Sequence, residues 1–157
     1  MHTTQHYLTW ILAAVLLAAA ASPLWAQQAP PAEGDEAALI AVLESADAEL
    51  FDKAKACQAL AVKGTKECVP VLARLLDDPE LSHYARYGLE PNPDPAAGEA
   101  LRDAPGKLEG GLLVGVINSI GMRQDAEAVD ELVKLMDSSD AAVAGSAAAA
   151  LGRIHTP

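Results

Sequence analysis

The side chains best placed to do chemistry are His83, Tyr84, Arg86 and Tyr87, a polar and aromatic cluster within five residues. On a helix His83 and Tyr87 stand four apart and share a face. Such a face could hold an anionic or aromatic group. The other reading is a local packing and hydrogen-bond cluster at a junction between helices, since Tyr and His commonly satisfy local partners. A single His without a nucleophile arranged to use it is a poor basis for hydrolase chemistry. Glu90, Asp94 and Glu99 surround Pro91, Pro93 and Pro95. Their spacing is not that of an EF-hand, so a solvated loop is expected there rather than a calcium site. Gly106-Lys107 is followed by Leu108, and Leu101 stands where a phosphate-binding loop needs its first glycine, so that motif fails at both ends.

Cys57 and Cys68 form no CxxC and join no Cys/His cluster, which leaves zinc without a ligand set. They fall on consecutive helices expected to meet at Gly64-Thr65. At helical rise the two are offset by about 5 Å along the axis, awkward for a disulfide whose Cα atoms must lie within about 7 Å. Two small core residues are the first expectation, and a Cys57–Cys68 disulfide the second. No catalytic residue, metal site or cofactor is assigned.

The elements that would position these residues recur. Four segments share an amphipathic run that closes on a bulky aliphatic: 50–64, 81–92, 111–123 and 141–154. The closing residues are Leu60, Leu89, Ile120 and Leu151, at spacings of 29, 31 and 31. A helix is expected before each, at Ala37–Leu43, Cys68–Leu76, Pro95–Arg102 and Ala126–Met136. Leu39, Ile40 and Leu43, or Val129, Leu132, Val133 and Met136, recur at the three- and four-residue spacing of one helical face. The third such helix is weaker, with only Ala97 and Leu101 well placed. Thr65 and Asp125 are expected helix caps, and Pro79 and Pro95 first-turn prolines. Gly110-Gly111 is expected to break the chain before a helix at Leu112. Gly121 is expected to end its helix, and Gly152 to mark a close-packing point.

Composition agrees with an all-α chain. Aromatics are only 4% while hydrophobic residues reach 51%, and Ala dominates them, which suits close helix packing better than a sheet. The formal net charge is −11, which repels phosphate backbones and excludes nucleic acid as an expected partner. A basic partner or a cation would suit that surface, although solubility alone also explains it.

Residues 1–26 read as a signal peptide, with an apolar stretch from Trp10 to Ala21, a break at Ser22-Pro23, and cleavage expected between Ala26 and Gln27. Residues 27–35 read as a flexible Pro-rich tether and 36–157 as the folded domain. The expected location is the periplasm or the exterior, with no stable membrane insertion after cleavage. An uncleaved N-terminal anchor is the alternative.

KACQALAVKG (55–64), TKECVPVLARLLDDPELSHYARYGLE (65–90), INSIGMRQDAEAVDELVKLM (117–136) and AAAALGRI (147–154) resemble HEAT repeats. The resemblance is to the short bacterial type related to phycobilin-lyase HEAT-like repeats, and to exported planctomycete-type HEAT proteins. It implies an α-solenoid of about four antiparallel helix pairs, in which stacked pairs bury the faces that one pair cannot. It also implies a non-catalytic scaffold for an unidentified protein partner. The alternative is a lyase-type or enzyme-accessory protein binding a small ligand or chromophore. No polar capping helix follows the last pair, so the resemblance suggests a shortened version, with further repeats or a domain beyond Pro157, or another subunit over that end.

Overall fold

A computed structural model describes residues 35–154. The expected signal peptide with its Ala26–Gln27 cleavage site, and the tether up to residue 34, lie outside the described residues, as does Pro157. Among the described residues the chain is all-helical, with eight α-helices and no strand. They are α1 Glu36–Glu44, α2 Leu50–Lys63, α3 Val69–Arg74, α4 Ser82–Leu89, α5 Pro95–Asp103, α6 Gly110–Arg123, α7 Val129–Leu135 and α8 Ala141–Arg153. None of them is long and apolar enough to cross a membrane.

The helix starts follow from short polar side chains that occupy amide groups the helix itself cannot use. Asp35 caps α1, Asp94 caps α5 with Pro95 behind it, and Asp140 caps α8 through the amides of Ala142 and Val143. Thr65 and Asp125 cap as expected, but each opens a 3₁₀ turn (Lys66–Cys68 and Ala126–Ala128) that leads into α3 and α7. Pro79 sits in the turn before α4 rather than in a helix. The Gly110-Gly111 pair does not precede α6 but begins it, with Gly110 at φ +52°.

The core is one continuous cluster. It takes Leu39 and Leu43 from α1, Leu60 from α2, Leu72 and Leu76 from the α3 region, Leu89 from α4, Leu101 from α5, Ile117 and Ile120 from α6, Leu132 from α7, and Val143 and Ala147 from α8. Packing proceeds from neighbour to neighbour. α1 lies on α2, α5 on α6 and α7 on α8, while α2 meets α4, α4 meets α6 and α6 meets α8. α3 likewise meets α5.

Small residues set how closely the helices approach. A Cβ added at Gly88 would lie 2.9 Å from a Leu72 methyl and 3.3 Å from the Cys57 carbonyl. A Cβ at Gly121 would lie 2.8 Å from the Ala150 Cα. This reverses two expectations. Gly121 does not end α6, which runs on to Arg123 and stops at Gln124 in the left-handed region (φ 54°). Gly152 is no close-packing point, since nothing lies within 4 Å of where its Cβ would be. The fourth closing aliphatic is also out of register, because Ala150 is fully buried and Leu151 only partly.

Candidate functional site

The four residues of the 83–87 cluster do not converge. His83 and Tyr87 face outward on α4, with Tyr87 52% exposed. Tyr84 packs partly against the core and meets the His83 ring edge to face at 5.5 Å. Arg86 turns the other way, towards α6. Its Nη1 donates to the Gly115 carbonyl at 3.2 Å and to the Ser119 hydroxyl at 3.4 Å. A Cβ at Gly115 would collide with this guanidinium, so the glycine is what admits the side chain. Burial pulls the Arg86 guanidinium below its usual value, with the charge of Glu90 working against it.

Arg86 belongs to a network between α4 and α6. Ser119, fully buried, donates to the Glu90 carboxylate at 2.7 Å. Arg123, at the end of α6, places one guanidinium nitrogen 2.7 Å from the Leu89 carbonyl, 2.9 Å from that of Glu90 and 2.7 Å from that of Asn92. Asn92 in turn donates to the Thr65 carbonyl at 3.0 Å and receives the Asp94 amide at 2.9 Å. Glu90 and Asp94, read from the sequence as a solvated loop, are thus a junction acceptor and a helix cap.

Two further networks tie neighbouring segments. Glu36 accepts from the Thr65 amide at 2.7 Å and its hydroxyl at 2.9 Å. Arg102 pairs with Asp125, which is largely buried, and with Glu127 at 2.7 Å. Slight burial pushes the Glu36 carboxyl up, but the Thr65 hydrogen bonds outweigh it and the net shift is downward. A carboxyl depressed in the folded state contributes stability above its unfolded pKa and loses it as pH falls through the folded one. Protection of the Thr65 amide from exchange should therefore fall on acidification below the usual carboxylate range. In Glu36→Gln that pH dependence should be absent.

Cys57 and Cys68 are both free and buried. Burial pushes the Cys57 thiol up to about 12 and the Cys68 thiol up to about 11, the latter helped by the neighbouring Glu36 carboxylate. The thiolate is the reactive form. A thiol reagent such as dithionitrobenzoate should therefore label neither in the folded protein at neutral pH and both in denaturant. Fewer than two reactive thiols in non-reducing denaturant would instead indicate oxidation.

Among the described residues no group of three or more His, Cys, Asp or Glu side chains could hold a metal. A groove of 480 Å³ lies between α3 and α5. Val69, Leu76 and Leu108, all buried, form its apolar floor, and Ala73, Ala96 and Ala100 form low walls. Sequence reading missed it. The one available signal was the weak apolar pattern of the third leading helix, where Ala97 enters the core while Ala96 and Ala100 line the groove. The chain matches no protein-family model and no curated protein.

Proposed function

We propose that the chain is an exported α-solenoid of four HEAT-type helix pairs that acts as a non-catalytic scaffold for a protein partner. The observation that carries this reading is the neighbour-to-neighbour packing, α2 on α4, α4 on α6 and α6 on α8. Stacked pairs of this kind leave long helical faces open to partners. The 29- to 31-residue spacing of Leu60, Leu89, Ile120 and Leu151 supports the same reading. So does the use made of the polar side chains. Arg86, Glu90, Ser119 and Arg123 hydrogen-bond between segments, which makes them fasteners of the stack and not a reactive set facing a substrate.

Two results are expected. The protein recovered from a periplasmic fraction begins at Gln27, and crosslinking in intact cells joins it to a discrete protein. A chain retained in the cytoplasm at full length contradicts export. A chain that purifies with a coloured or ultraviolet-absorbing small molecule, and with no protein, contradicts the scaffold role.

A further inference from the structure

The groove between α3 and α5 has the chemistry of a docking site, and we propose that it receives a cationic amphipathic helix from a partner protein. This inference rests on the scaffold reading and names the surface and the partner class. The floor is apolar and the walls are low because α3 and α5 present alanines to each other, Ala73 on one side and Ala96 and Ala100 on the other. The rim is charged unevenly. Asp77, Glu99 and Asp103 line it, and none of them takes part in an ion pair among the described residues. Of the two cations on the rim, Arg74 is engaged by Glu44 at 2.8 Å, and the other is Lys107. Glu99 and Asp103 stand four apart on α5, where like charges repel and weaken the helix. A lysine or arginine laid between them relieves that repulsion.

The form of the occupant follows from what the groove offers. Its walls are helices, whose backbone groups are already paired, so an extended strand would find no ladder of partners. No aromatic side chain lines it, so it lacks the platform that grips a polyproline segment. A helix satisfies its own backbone. It can set residues i, i+3, i+4 and i+7 on Val69, Leu76 and Leu108 and hold its basic face over the carboxylates.

The test uses the full chain and a fluorescent helical peptide of leucine and lysine in amphipathic order, with a leucine–glutamate peptide of the same pattern as its counterpart. The lysine peptide should bind, more weakly as salt is raised, and the glutamate peptide should not. The double variant E99K/D103K should weaken lysine-peptide binding about tenfold or more. Ala100→Trp, which fills the groove, should abolish it, with circular dichroism confirming that helix content is kept. The double variant D130K/D137K changes the net charge equally at two exposed positions outside the groove lining, one on α7 and one in the turn after it, and should leave affinity within about twofold. Equal binding of both peptides, equal loss in D130K/D137K, or full affinity in Ala100→Trp overturns the proposal. So does a dimer in sedimentation that Ala100→Trp dissociates, since a second copy would then be the occupant. A crosslinked partner captured equally by the wild type and Ala100→Trp removes the groove but leaves the scaffold reading standing. If no partner is captured, the scaffold reading falls, while the peptide titration still decides the groove.

Discussion

Gly121→Val should lower the unfolding free energy by about 2–3 kcal/mol, the upper part of the range for forcing extra atoms into a closed interface. The first added carbon would already stand 2.8 Å from the Ala150 Cα and 2.9 Å from its Cβ. The obstacle is a helix backbone with its single methyl, not the end of a flexible chain, so α6 and α8 must move apart. Gly152→Ala is the matched comparison. Space around Gly152 is open, and alanine favours a helix over glycine by up to about 1 kcal/mol. The two glycines, both near the end of a helix, should give opposite signs in urea unfolding. Two changes of the same sign would mean that α6 and α8 do not meet at Ala150.

Arg123→Ala should cost about 2–4 kcal/mol, because three carbonyls lose a charged donor together. The acceptors are Leu89, Glu90 and Asn92, where α4 ends and its last carbonyls have no partner within the helix. A side chain from α6 therefore closes the end of α4. Arg123→Lys should recover only part of the loss, since an ammonium is a point donor without the planar fork of guanidinium. Urea midpoints give the magnitude. Exchange of the Asn92 amide, which bonds to the Leu89 carbonyl, reports whether the loss is local. An Arg123→Ala protein with unchanged midpoint would mean that solvent serves these carbonyls equally well.

The helices themselves were legible in the sequence, because amphipathic spacing and capping residues act over a few positions. Leu39 and Leu43, or Leu72 and Leu76, repeat at helical intervals and are buried. Thr65 and Asp125 cap where short polar side chains should. What was not legible depends on partners about thirty residues away. A glycine after a closing aliphatic looks the same whether it ends a helix or admits a neighbour, and only Ala150 decides for Gly121. The interval that named Leu151 as the fourth closing residue could not show that its neighbour Ala150 is the one fully buried, against Gly121, with Leu151 only partly covered. Within the 83–87 cluster, helical geometry correctly sets His83 and Tyr87 on one face. It could not reveal that Gly115 leaves room for Arg86 to turn the opposite way. The groove escaped notice for a related reason, since Ala96 and Ala100 read as a poor apolar face when their role is to leave space.

Methyl-resolved nuclear Overhauser spectroscopy on the folded chain tests the stepwise stack most directly. The account predicts cross-peaks between Ala150 and the Gly121 α-protons, and others linking α2 with α4 and α4 with α6, with none between the core methyls of Leu43 or Leu60 and those of Val143 or Ala147. Cross-peaks joining those first and last helices would mean that the chain closes around one shared centre, and the scaffold account would be wrong.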